Sequence, residues 1–156
     1  MEDIEFRQAM GKFSTGITII TTEDDGKPHG MTANAFMSVS MDPKLVAISV
    51  DHKTNMYEKM INAKKYAVSI LETSQEDISR LFAKQMAGKE NFHFSTFHNL
   101  PVIPGALVHL ACDVVQEVKA GDHTIFIGEV KDLAMEHQEE KEPLLYYRGH
   151  YNALRR

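Results

Sequence analysis

A single cysteine, Cys112, is all the thiol this 156-residue chain carries. One thiol closes no internal disulfide and completes no CxxC pair for metal or redox exchange. Within "LVHLACDVVQ" it reads as a small buried apolar residue. Long hydrophobic runs are missing as well, since no stretch approaches the roughly 18 residues that a membrane span takes. The start "MEDIEFRQ" is acidic where a secretory signal is basic and then apolar, so a cytoplasmic protein with no membrane segment is expected. A basic block is also absent. Seventeen Lys+Arg against 22 Asp+Glu leave a net charge of -5 with no interleaving of basic and aromatic residues, which argues against nucleic acid as a partner. The acidic run "EHQEEKE", Glu136 to Glu142, reads as a solvated connection.

The familiar catalytic fingerprints are absent too. The chain has no G-x-G-x-x-G, no G-x-x-x-x-G-K-[ST], no H-E-x-x-H and no G-x-S-x-G, so the common dinucleotide fold, P-loop, zincin and α/β-hydrolase readings lack their motifs. Eight histidines invite a metal hypothesis, but His93 and His98 lie five apart in an aromatic loop and no pair has a ligand spacing. No metal site is expected.

What remains is ordinary for a folded chain: 43% hydrophobic and 25% charged residues, with too few Pro and Gly for a disordered or fibrous chain. No Pro-, Gly- or Ser-rich linker divides it, and residues 1–156 read as a single domain. "IEFRQAMGKF" spaces Ile4, Phe6, Met10 and Phe13 for one helical face before the β-branched "ITIITT". Asp25-Gly26 marks a hairpin. "AFMSVSM" has a period of two, with Ala35, Met37, Val39 and Met41 on one face and Phe36, Ser38 and Ser40 on the other, until Asp42-Pro43 ends it. "KLVAISV" and "YAVSIL" read as further strands, separated by a short helix with Thr54 as N-cap and Met56, Met60 and Ile61 as its apolar stripe. Ser74 and Asp77 form a capping-box pattern before Ile78, Leu81 and Phe82. "MAGKENFHFSTFHNLPVIPGA" reads as a loop with aromatic anchors, and two long strands joined at Gly121-Asp122 follow. About six strands, three short helices and no βαβ alternation predict a mainly β fold with α: a small antiparallel barrel with flanking helices.

One stretch sits oddly in that scheme. "HGMTANAFMSVSMDP" begins with small side chains, Thr32, Ala33 and Asn34, that cover little core. Backbone N–H groups beside small residues admit a planar or anionic ligand closely, and Thr32, Ser38 and Ser40 add hydroxyls. The residues alone leave this ligand surface and a merely solvated sheet face both open. "KTN", Lys53 to Asn55, offers a cation and free N–H groups at a helix start, or ordinary capping. "RLFAKQ", Arg80 to Gln85, stands at a helix end. His123 follows a Gly-Asp turn and heads an apolar strand, which would present an imidazole at a barrel rim.

In their order and spacing, "FRQAMGKFSTGITIITT", "HGMTANAFMSVSMDPKLVAISV", "FAKQ", "LPVIPGAL", "AGDHTIFIGEV" and "PLLYYRGHY" resemble the flavin reductase family with the FMN-binding split-barrel fold. The likeness covers nearly the whole chain and is closest to the reductase components of two-component aromatic hydroxylases, such as the phenol and 4-hydroxyphenylacetate 3-monooxygenase systems. It implies a Greek-key type split barrel, a homodimer, FMN or FAD as flavin, NADH or NADPH as hydride donor, and a separate oxygenase that receives reduced flavin by diffusion. By motif position it implies a flavin lined by Met31, Thr32, Ala33, Asn34 and Ser38, with Ser49, Val50, Lys53 and Thr54 nearby. Phe82, Ala83, Lys84 and Gln85 would approach its ribityl-phosphate end, and His123 would lie by the nicotinamide as the catalytic residue. Tyr146 to Tyr151 would close the same region. Lys84 stands where relatives often have Gly. A flavin-binding or electron-carrier protein without NAD(P)H turnover is the alternative, because fold does not fix function.

Overall fold

The computed structural model describes residues 1–84, 88–137 and 140–155. Its chain enters through α1 (Asp3–Met10) and a two-residue strand β1 (Thr15–Gly16), then forms a hairpin from β2 (Thr18–Asp24) and β3 (Lys27–Ala33). Asp25 and Gly26 at the turn have φ of 53° and 72°, the positive values that a two-residue hairpin turn of this hand requires. A second hairpin, β4 (Phe36–Met41) and β5 (Lys44–Asp51), leads to α2 (Asn55–Ala63), β6 (Lys65–Ile70) and α3 (Glu76–Phe82). After a 3₁₀ turn at Lys89–Asn91 the further elements among the described residues are strands: β7 (Ser95–Phe97), β8 (Leu100–Val102), the long pair β9 (Val108–Ala120) and β10 (His123–Met135), and a closing hairpin of β11 (Leu145–Tyr147) and β12 (His150–Asn152).

Seven strands form one antiparallel sheet in the order β3-β2-β6-β9-β10-β5-β4. Its two edges, β3 and β4, are consecutive in sequence. Among the described residues no ladder pairs them, so hydrogen bonding leaves the expected barrel split rather than closed. The seam sits at Asn34 and Ala35, where the Ala35 carbonyl accepts from Ser49 N–H at 3.2 Å. Six of the seven strands nonetheless send residues into one cluster, among them Ile20, Ala33, Val46, Tyr66, Cys112 and Phe126, with Met56 and Met60 of α2 against them. A flat sheet cannot bring six strands to one cluster, so this one curls around its core.

A second cluster lies on the other face of β2 and holds Ile17, Ile19, Leu71, Phe82, Ile103 and Leu144 beneath α3 and the three-stranded sheet β1-β11-β12. This explains why "ITIITT" lacks polar alternation: β2 is buried from Thr18 to Thr22 because it is covered on both sides. Its buried hydroxyls are used to tie strands together, Thr18 donating to the Ala33 carbonyl at 2.7 Å and Thr22 to that of Lys65 at 2.6 Å.

Four local expectations need correction. The stretch that reads as irregular loop holds the hairpin β7–β8, turned by His98 and Asn99 at positive φ, so that among the described residues five short strands accompany a seven-strand sheet close to the about six strands expected of the barrel. The capping box is centred on Glu72, not Ser74: its carboxylate accepts from Ser74 N–H, and Gln75 Oε1 accepts from Glu72 N–H at 3.0 Å. The period of two in β4 breaks at Val39, an extra residue between the pairs Ser38–Val46 and Ser40–Leu45, and a one-residue bulge flips every later side chain. Finally, Thr54 occupies the N-cap position of α2, yet its hydroxyl donates backward to the Asp51 carbonyl at 2.8 Å and caps nothing.

Candidate functional site

β3 is an edge strand, and the parity of its hairpin decides which backbone groups stay unpaired. Around a two-residue turn the flanking pair Asp24–Lys27 is mutually hydrogen-bonded, so the alternate residues Pro28, Gly30 and Thr32 point their backbone groups away from β2. Pro28, which has no N–H to offer, falls on that free side, as an edge proline must. A strand of small residues with an unpaired edge is thus real here.

The side chains of the same stretch divide between two faces. Met31 and Ala33 pair with Ile20 and Thr18 and pack into the main core. Thr32 points the other way and donates to the Ser79 carbonyl of α3 at 2.6 Å. Asn34 is left exposed at the seam. Phe82 is buried in the second cluster, edge-on to Phe92 at 5.1 Å, with its ring against Gly30, where a Cβ would come within 3.2 Å of it. Only Ala83 and Lys84 at the end of α3 are exposed, and Lys84 has a φ of 62°, the left-handed region that glycine adopts without strain. Gln85 lies outside the described residues.

Beside the seam opens a cleft of about 910 Å³, of the size that small-molecule sites have. Asn34, Ala35 and Phe36 line it with Ser49 and Ile48 of β5, Ile125 of β10, and Thr15 and Phe13 from the N-terminal segment. Its walls are mostly apolar, with a few polar groups placed among them. One of these is unusual: the Thr15 hydroxyl is buried yet has no hydrogen-bond partner among the described residues. An orphaned buried hydroxyl in a cleft wall is a partner in waiting for a bound polar atom.

The rim of β5 and β10 carries the remaining candidates. His123 stands opposite Asp51 across the ladder, and its Nδ1 lies 2.7 Å from Asp122 Oδ1. The His123 hydrogen bond, with its charge, holds the Asp122 carboxyl below the usual range. An ionised carboxylate only accepts, so Nδ1 is the donor and Nε2 is the ring atom available to a ligand. Lys53 and Thr54 are set by Asp51, whose Oδ1 accepts from Lys53 N–H at 2.9 Å. The structure therefore brings Asn34, Ser49, Lys53, Thr54 and His123 to one end of the sheet. Val50 faces the core there, and Ser38 is exposed farther along β4.

Comparison with known proteins bears directly on this site. Residues 10–155 match the model of the flavin reductase like domain. The chain belongs to this family. An NADH-dependent flavin reductase of Rhodococcus is 41% identical over 154 residues, 97% of this chain and 86% of that one. The solved structure of flavin reductase PheA2 in its native state superposes with a TM-score of 0.95 at 51% identity over all of both chains. The NADH:FAD oxidoreductase SgcE6 of Streptomyces globisporus, in complex with NAD and FAD fragments, superposes with 0.91 at 33% identity over 99% of this chain and 93% of that one.

For a member of the flavin reductase family the cleft is chemically apt. A flat, largely apolar ring suits Ile48, Ile125 and Phe13, and Asn34, Ser49 and the unpartnered Thr15 hydroxyl suit its polar edges. The sequence reading did not include Thr15, Ser79 or His52. His52 bonds Thr124 through Nε2 at 2.8 Å and packs on Tyr57 at 4.6 Å, beside His123. Thr15 and Ser79 carry no motif of their own; their roles arise from contacts with residues distant in sequence.

Proposed function

We propose that this member of the flavin reductase family, read as one domain over residues 1–156, is an NAD(P)H:flavin oxidoreductase in the cytoplasm that supplies reduced flavin to a separate monooxygenase. The observation that carries the reading is the convergence at one cleft of two distant motifs, Asn34-Ala35 at the sheet seam and Ser49 with Ile125 on the β5–β10 pair whose end bears His123. A bound FMN or FAD supplies the redox chemistry, accepting a hydride from NADH or NADPH. The chain's own work is to hold and orient. The cleft walls exclude water, Asn34 and Ser49 give hydrogen bonds to fix register, and Lys53 offers a cation to phosphate. His123, steered by Asp122 through Nδ1, presents Nε2 to the nicotinamide amide. No acid–base pair is needed for hydride transfer, which depends on the geometry of approach.

A homodimer belongs to the same reading. Phe13 is 79% exposed, Met41 79% and Met37 59%, and Ile4, Phe6 and Met10 on α1 are exposed as well. An exposed apolar surface of this kind supports an interface, and because Met10, Phe13 and Met37 also line the cleft, a second copy seated there would complete its wall. The deciding experiment follows NADH and NADPH absorbance with FMN or FAD supplied over a concentration series. Saturable, flavin-dependent oxidation is expected. Flavin binding without turnover from either nucleotide would establish the electron-carrier alternative instead.

A further inference from the structure

Ser79 is wholly buried and is held from both sides. Its carbonyl accepts from Thr32 of β3 at 2.6 Å, and its hydroxyl bonds the hydroxyl of Tyr151 at 2.7 Å. The first contact spans 47 positions of sequence and the second 72, so α3 is clamped between the free edge of β3 and the C-terminal hairpin. Tyr151 is itself fixed on both flanks. Its ring meets Tyr146 edge-on at 5.4 Å, and the Arg80 guanidinium sits 4.8 Å from its centroid while pairing with Glu76 at 2.9 Å. Toward β3, the Phe82 ring rests on Gly30, where an added Cβ would come within 3.2 Å of it. The seat of α3 on β3 is therefore close-fitting, and the Tyr151 hydroxyl is a latch on it that β3 does not provide.

We propose that Tyr151 and Ser79 are positioning residues, through which the C-terminal hairpin sets the affinity of the β3–α3 edge for flavin. This inference rests on the flavin-reductase reading above. Thr32 lies on the unpaired edge, and Ala83 and Lys84, the exposed residues that would meet the ribityl-phosphate end, directly follow α3. Without the latch, α3 keeps its hydrogen bond to Thr32 and the Arg80 contact with the Tyr151 ring but loses its hydroxyl tie to the C-terminal hairpin, so Ala83 and Lys84 after it are held less firmly. Binding weakens, while the β5–β10 pair that carries Ser49 and His123 is untouched.

Two conservative changes each delete the same hydrogen bond and nothing else: Tyr151→Phe and Ser79→Ala, the latter keeping the carbonyl that Thr32 needs. Each is expected to raise the Kd of FMN or FAD, measured by quenching of flavin fluorescence, by about three- to ten-fold, the range of one neutral hydrogen bond. The KM for flavin should rise in step while kcat at saturating flavin is retained. The double variant should bind no more weakly than the weaker single variant, because both remove one bond. A residue acting on stability alone would lower the melting temperature and the active fraction and leave Kd where it was. Wild-type binding together with an unchanged Kd in both single variants overturns the inference alone. Wild-type protein that quenches neither flavin overturns the flavin reading and the inference with it.

Discussion

Gly128 shows how a residue can matter without any chemistry of its own. A Cβ there would meet the Tyr66 hydroxyl oxygen at 2.5 Å and the Cys112 Cβ at 2.9 Å. Tyr66 cannot step aside, because it is fully buried and donates to the Phe126 carbonyl at 3.2 Å. Gly128→Ala is expected to cost about 1–3 kcal/mol, the usual penalty of overpacking, read as a lower urea midpoint. Cys112, in the same wall, has its thiol pushed up to about 12 by burial, helped by Asp113, and so stays an inert packing group at neutral pH. His123 is the opposite case, a residue whose surroundings give it chemistry. With Nδ1 engaged by Asp122, His123→Ala should raise the KM for NADH or lower kcat about ten-fold or more, the effect of losing a well-placed hydrogen bond near the reacting ring, while flavin binding changes less. Unchanged steady-state kinetics in that variant would remove His123 from the site.

At the scale of elements, the start of the 3₁₀ turn before α3 is governed by Glu72. Burial works against its charge, yet the Ser74 hydroxyl and N–H, Lys141 and the Thr73 hydroxyl together hold its carboxyl below the ordinary 4.5. A carboxyl lowered in the folded state adds stability above its unfolded pKa, and that contribution fades as pH falls from about there through the lowered folded value. Glu72→Gln should therefore be less stable than wild type at neutral pH, with the difference narrowing under acid below the ordinary carboxylate range, as thermal melts across pH would show. Equal spacing of the two melting curves at every pH would argue that the charge has no part in the cap. β3 presents a related balance. Thr32→Val removes the bond to Ser79 but leaves that carbonyl its bond from Ala83 N–H at 3.1 Å, so a loss of about 0.5–1.5 kcal/mol is expected by chemical denaturation.

For the whole molecule, the exposed apolar surface of α1 and β4 makes the oligomer a physical question. Phe13→Asp, or Met41→Asp, would place a charge in the proposed interface at positions that are 79% exposed in the isolated chain. Light scattering should find wild type at twice the chain mass and either variant shifted toward the monomer, with secondary structure unchanged by circular dichroism. A monomeric wild type would remove the dimer from the reading. Much of the fold was legible beforehand at this scale: the Asp25-Gly26 hairpin, the 13-residue pair joined at Gly121-Asp122 and the buried Cys112 all stand as read. The helical stripe Ile4, Phe6 and Met10 was legible as a helix, although Phe13, read on the same face, falls beyond α1, and periodicity reports an apolar face and not what covers it.

Local chemistry in the sequence determined the turns, the strand periods, the absence of membrane-spanning helices among the described residues and the short motifs at Asn34, Ser49 and His123. These depend on neighbours a few positions away, which is the range that φ, ψ and side-chain alternation report. Only the tertiary structure decided which strand edge stays unpaired, where the bulge at Val39 turns β4, and that Glu72 rather than Ser74 caps the turn. It alone brought Thr15 into a cleft without a partner and Ser79 between Thr32 and Tyr151. Such contacts join residues dozens of positions apart, and no local pattern carries them, because they are set by the curl of the sheet that brings its two edges together.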